Sequence, residues 1–143
     1  MVIVLDTTVL AYAVGTEHPL REPSRRLLKA LGEGTVTAST TVDVIQEFAH
    51  GYARRRPRAD AAAQARRYAT LLAPLLSPTE ADLAAGLQLF EKQERLDAFD
   101  AVLAATTIAH EAKALVSADR AFASVRRLPF VELGSPEFNA LLA

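Results

Sequence analysis

Cysteine is absent from the 143-residue chain. That excludes disulfide scaffolds, thiolate metal sites and cysteine nucleophiles together, and it fits a reducing cytosol. Long hydrophobic runs are missing too. The longest stretch without a charged residue, Tyr68 to Thr79, has 12 residues and contains two prolines. A membrane span needs about 20 apolar residues, so no membrane association is expected. The apolar N-terminus stops at Asp6, too soon for a signal-peptide core. Charge of one sign is also missing. Sixteen Lys and Arg face 17 Asp and Glu, a formal net charge of −1, which excludes a uniformly basic nucleic-acid coat but not a local basic patch. No Gly-rich phosphate loop occurs, which argues against nucleoside-triphosphate binding. His18, His50 and His110 are scattered without ligand spacing, so histidine catalysis is not expected.

Half of the residues are apolar and 23% are charged, the composition of a globular chain. The length suits one domain spanning residues 1–143. A chain of this size buries roughly 68–70% of its unfolded surface and needs no metal or disulfide staple.

Val2 to Leu5 is a short apolar run with three β-branched residues, the signature of a strand buried in a parallel sheet. A short helical turn follows over Val9–Val14. Leu20–Leu31 reads as a helix with Gly32 past its end. Thr35–Ser39 is a second strand candidate. Thr40 or Thr41 caps a helix running to about Arg55, with Val44, Ile45, Phe48 and Tyr52 on one stripe. Asp60 is the expected cap of the next helix, which runs to about Leu72. Leu75-Leu76 is a minimal strand between Pro74 and Pro78. Thr79, Glu80 and Asp82 open a helix carried by Leu83, Leu87 and Phe90, and Asp97 opens another from Ala98 to about Ala112. Leu115–Ser117 and Phe130–Leu133 are the last strands, and Ser135-Pro136 starts a terminal helix. Strands alternating with helices predict an α/β fold, a parallel sheet of five strands with helices on both faces.

Such sheets bind ligands beyond the carboxyl ends of their strands. Asp6 directly follows the first strand and Asp119 follows Ser117. Glu47 lies about one turn into the helix after the second strand, and Asp97 and Asp100 begin the helix before the fourth. Carboxylates gathered at one rim repel one another and raise their pKa values. A hard divalent cation relieves that conflict, and a set of Asp and Glu without His or Cys suits Mg²⁺. Each acid also has a structural account. Asp6 and Asp97 are good helix caps, Asp43 is a favoured first-turn carboxylate, Glu47 suits a solvated helix face, and Asp119 suits a turn. Asp100, followed by the apolar run Ala101–Ala105, is the least well explained by capping.

Four segments resemble one known family. Val2-Ile3-Val4-Leu5-Asp6-Thr7-Thr8-Val9-Leu10 is similar to the opening motif of PIN-domain ribonucleases. Thr41 to Phe48, with Glu47 as its acid, resembles the second motif. Leu96 to Ala105, with Asp100 before Ala101, resembles the third, and Leu115 to Phe122, with Asp119, the fourth. The segments cover almost the whole chain in the right order, and single-domain proteins of this size are typically VapC toxins of bacterial toxin–antitoxin pairs. The resemblance implies a parallel five-stranded sheet and a Mg²⁺- or Mn²⁺-dependent endoribonuclease. It implies hydrolysis of RNA by a metal-activated water, leaving 5′-phosphate and 3′-hydroxyl ends. Homodimers and inhibition by a cognate VapB antitoxin are implied as well. Asp6, Glu47, Asp100 and Asp119 become the acidic quartet, with Asp97 as a further candidate ligand. Thr7 and Ser117 match hydroxyl positions that orient carboxylates or water from behind the ligands.

The densest basic run is Arg54-Arg55-Arg56-Pro57-Arg58. It can complement a helix C-terminus or position RNA phosphates. Arg120, beside Asp119, can reach a phosphate or pair with an acid. The competing reading is a catalytically inactive binding module of the same fold, whose acids receive an arginine from a partner. A haloacid-dehalogenase phosphatase is excluded because its second Asp would stand at Thr8.

Overall fold

The computed structural model describes residues 2–143. Its sheet is built from β1 (Ile3–Leu5), β2 (Ala38–Ser39), β3 (Ala114–Ser117) and β4 (Phe130–Glu132). All pairings are parallel, in the order β2-β1-β3-β4. β1 sits in register with both neighbours, Ile3 opposite Ala38 on one side and Ala114 on the other. Every residue of β1 and β3 is buried, as expected of strands covered on both faces. The helices are α1 (Thr7–Ala13), α2 (Arg21–Gly32), α3 (Val42–Tyr52), α4 (Arg58–Leu71), α5 (Glu80–Lys92), α6 (Ala98–Ala109) and α7 (Pro136–Leu142). Phe122, Phe138, Leu10, Leu27 and Leu72 fill the core around the strands.

Among the described residues four strands form rather than the five expected. Leu75-Leu76 contributes a single parallel bridge, Thr41 to Leu76, closed by Leu76 N–H to the Thr40 carbonyl (2.9 Å) and Val42 N–H to the Leu76 carbonyl (3.0 Å). Pro74 and Pro78, which lack N–H donors, bound this short segment on both sides. β2 is likewise shorter than Thr35–Ser39. Asp60 is not a cap: α4 starts two residues earlier, after Pro57, and Asp60 lies in its first turn.

A second departure concerns α5. Its start is as read, with Thr79 and Asp82 forming a reciprocal capping box. Its buried side, however, is Asp82, Gly86 and half-buried Leu89, while Leu83, Leu87 and Phe90 are exposed. Gly86 explains the rotation. A Cβ there would stand 2.8 Å from the Val102 Cα, so α5 meets α6 closely at Gly86 and the bulky stripe faces outward.

The topology fixes where a ligand binds. From β1 the chain first crosses to one side, making β2, and later to the other, making β3. The carboxyl ends of β1 and β3 therefore flank a switch point, where crossovers leave a crevice. α3 follows β2, and α6 leads back into β3. Both helix N-termini accordingly lie at that same rim.

Candidate active site

Asp6 ends β1 and is only 4% exposed. Its backbone N–H still pairs with the Val116 carbonyl (3.0 Å), extending the ladder. Its Oδ2 accepts from Ser117 Oγ (2.6 Å) and Thr8 Oγ1 (3.1 Å). Burial pushes the Asp6 carboxyl above its ordinary value of 3.8, opposed by these hydroxyls and the Thr7 and Thr8 amides. Thr7 Oγ1 donates to Glu47 Oε1, linking the start of α1 to the middle of α3. Thr41 caps α3 by accepting from the Val44 N–H (3.1 Å).

On α6, Asp97 caps the helix by accepting from the Asp100 N–H (2.8 Å). Capping thus accounts for Asp97 and leaves the Asp100 side chain free to face the crevice. Asp100 is pushed up to about 8, first by burial and then by the charges of Asp6, Asp97, Glu47 and Asp119. That list places Asp6, Asp97, Glu47 and Asp119 within electrostatic reach of Asp100. Asp119 follows β3, its N–H donating to Ser117 Oγ (2.9 Å) and its Oδ1 accepting from the Ala121 N–H (2.9 Å).

Asp6, Glu47 and Asp100 line one cavity of about 420 Å³, together with Thr7, Asp43, Leu83 and Phe99. Asp119 stands beside this cavity, not among its lining residues. The arginines stand apart. Arg54, Arg55 and Arg56, between α3 and α4, and Arg58, the first residue of α4, are exposed, with none on the cavity wall, and Arg56 lies over the Tyr52 ring (5.9 Å). Arg120 pairs with Glu132 at 3.6 Å, the arginine largely in solvent and the glutamate partly so. The cavity therefore carries negative charge, with no cationic side chain on its wall among the described residues.

Two participants were not singled out from sequence. Thr8 bonds Asp6 and also accepts from the Ala118 N–H (3.0 Å), tying the ends of β1 and β3 together. Asp43, read as a dipole-favoured first-turn acid, does sit in the first turn of α3 but also lines the cavity. The signal for Thr8 was its place two residues after a strand-ending Asp, where hydroxyls commonly bond back to the backbone and its neighbours.

The donor set suits a hard divalent cation: oxygen only, several carboxylates, and charge repulsion that a cation relieves. Among the described residues, no three His, Cys, Asp or Glu side chains form a ready-made coordination shell. Mg²⁺ tolerates this because it retains several of its waters.

Comparison with known proteins agrees with the geometry. The PIN domain family matches residues 3–128. Ribonuclease VapC7 of Mycobacterium tuberculosis (strain ATCC 25618 / H37Rv) is 53% identical over 124 residues, 86% of each chain. The fold resembles the crystal structure of VapBC2 from Rickettsia felis bound to a promoter DNA fragment (TM-score 0.72, 16% identity, 92% of this chain and 98% of that one). It also resembles FitAcB from Neisseria gonorrhoeae (TM-score 0.69, 17% identity, 90% and 95%). The acids at the switch point, the family match along most of the sequence and the high identity to a VapC protein agree: this chain belongs to the PIN domain family, in its VapC-type branch.

Proposed function

We propose that this chain is a divalent-metal-dependent endoribonuclease, the toxin of a VapBC-type toxin–antitoxin pair acting in the cytoplasm. One observation carries the reading: Asp6, Glu47 and Asp100 share a cavity in which Asp100 is pushed up to about 8, first by burial and then by the charges of Asp6, Asp97, Glu47 and Asp119. Asp6, Asp100 and Asp119 would hold Mg²⁺ or Mn²⁺, with Glu47 completing the set. A bound cation supplies charge neutralisation and polarisation of the phosphoryl oxygen.

The remaining work falls to the protein. Ser117 and Thr8 fix the Asp6 carboxylate through Oδ2, leaving Oδ1 for ligation. Thr7 holds Glu47 toward the site. Asp97 orders the first turn of α6 and so aims Asp100. Fixing ligands from behind in this way sets their orientation and basicity.

Two partners follow from the same reading. A VapB-type antitoxin is proposed to block the cavity by presenting an arginine to the unpaired carboxylates, a charge-assisted and bidentate match. A homodimer is proposed through the outward stripe Leu83, Leu87 and Phe90, since contiguous exposed apolar surface marks an interface.

The test is cleavage of total RNA with a Mg²⁺ titration, beside calorimetry of Mg²⁺ binding. Asp6→Asn and Asp100→Asn should abolish cleavage and weaken Mg²⁺ uptake. Retained cleavage with unchanged metal dependence in Asp6→Asn would overturn the proposal. So would a wild-type protein that takes up no Mg²⁺, the behaviour of a pure binding module.

A further inference from the structure

Phe99 is 72% exposed, the most exposed large hydrophobic side chain among the described residues. Phe48, Phe122 and Phe138 are buried in the core. Phe99 is also the single aromatic residue lining the acidic cavity, and it directly precedes Asp100. Its backbone is held firmly, because it lies in the first turn of α6, which the Asp97 cap closes. An aromatic ring on a fixed backbone is thus presented to solvent beside the carboxylates. Nothing in the fold uses it.

We infer that Phe99 is a stacking platform for an unpaired base of single-stranded RNA, the nucleotide adjoining the phosphate that a cation at Asp6 and Asp100 would hold. This deepens, and rests on, the ribonuclease reading above. Among the described residues no cationic side chain lines the cavity, so the wall offers the strand no charge contact of its own. What it offers is a π-face, which every base can match. A base inside a duplex is already stacked on its neighbours and cannot use such a platform, so the ring selects single strands, loops and bulges. Phe99 is accordingly a specificity-determining residue, distinct from the acids that would hold the ion.

The chain contains no tryptophan, which makes a direct test available. Phe99→Trp installs the sole indole at the platform. With Ca²⁺ as the divalent ion, its fluorescence should be quenched by a short oligoadenylate and much less by an abasic strand of equal length. Wild-type protein should bind oligoadenylate more tightly than the abasic strand. Phe99→Ala and Phe99→Leu should lower oligoadenylate affinity roughly 5- to 150-fold, erase that difference, and leave the salt dependence of binding unchanged, because no phosphate contact is lost. Phe99→Trp should keep the difference. Preserved discrimination in Phe99→Ala overturns the inference while leaving the ribonuclease reading intact. Loss of dimer in Phe99→Ala on sedimentation, with RNA discrimination unchanged, also overturns it and assigns the ring to a subunit contact. A wild-type protein that binds no RNA overturns both readings at once.

Discussion

Ser117 Oγ donates to Asp6 Oδ2 at 2.6 Å, joining the carboxyl ends of two adjacent parallel strands separated by 111 positions in sequence. The same hydroxyl oxygen accepts from the Asp119 N–H at 2.9 Å. One side chain therefore sets the orientation of the buried acid and the path of the chain into a second acid. Ser117→Ala removes the shorter of the two hydroxyl partners of Asp6 and strands the Asp119 amide. The expected cost is about 1–3 kcal/mol of folding stability, with weaker Mg²⁺ uptake. Urea unfolding and calorimetry check both, and an unchanged urea midpoint would show that Ser117 does not brace Asp6.

Asp100 gives the site a pH signature. Its folded pKa of about 8 lies above its ordinary value of 3.8, so the folded state binds the proton more tightly than the unfolded chain. Between these values the native protein carries more protons, and stability falls as pH rises. Without divalent ions, the thermal midpoint should therefore decline from about pH 4 to about pH 8 and then level off. Added Mg²⁺ should flatten the decline, because the cation replaces the proton as the neutralising partner. Asp100→Asn, neutral throughout, should make the slope shallower and leave the part that the raised Asp6 carboxyl contributes. A decline of equal steepness in Asp100→Asn would place its source elsewhere.

The order of elements, the acids at strand ends and the caps at Thr41, Thr79, Asp97 and Ser135 were legible because each rests on local chemistry. Other features required the third dimension. The face of α5 that turns inward is decided by how closely α6 approaches Gly86, a distance no periodicity encodes. The bridge at Leu76 fell short of a strand because its flanking prolines supply no donors. The bond from Thr8 to Asp6 could be suspected locally, but its second bond, from the Ala118 amide, depends on β3 lying beside β1. The position of Asp119 beside the cavity is likewise set by the turn after β3.

Gly86→Ala tests the helix contact directly. The new methyl group would stand 2.8 Å from both the Val102 Cα and its Cγ2, and a backbone atom cannot swing aside. Overpacking of this kind typically costs about 1–3 kcal/mol, against the modest gain expected from alanine in an open helix. Because Val102 and Leu83 both line the acidic cavity, the displaced helices should also weaken Mg²⁺ binding. A stabilised Gly86→Ala protein would show that α5 moves freely on α6.

The exposed stripe on α5 makes a separate prediction about assembly. Leu87 and Phe90 lie outside the acidic cavity, so Leu87→Glu should disrupt a dimer without touching the acids. Sedimentation should find wild-type protein as a dimer and Leu87→Glu as a folded monomer with an unchanged circular dichroism spectrum. A dimer that survives the substitution would assign the interface to another face.

Arg54, Arg55, Arg56 and Arg58 supply the charge that the cavity lacks. They sit beyond the C-terminal end of α3, while Glu47 lies midway along it, so any phosphate they hold belongs to a more distant part of the strand. Their role is then affinity rather than chemistry, and affinity of this kind is governed by counterion release. Each phosphate contact on a single strand contributes about 0.7 to the slope of log affinity against log salt. Reversing all four charges to Glu should weaken RNA binding and flatten that slope, with Mg²⁺ uptake unchanged because the acids are untouched. The contrast with Phe99→Ala is diagnostic: the arginines should move the salt slope, whereas the aromatic ring should move affinity at constant slope. If the reversed protein keeps both its affinity and its slope, the run serves only to complement the end of α3.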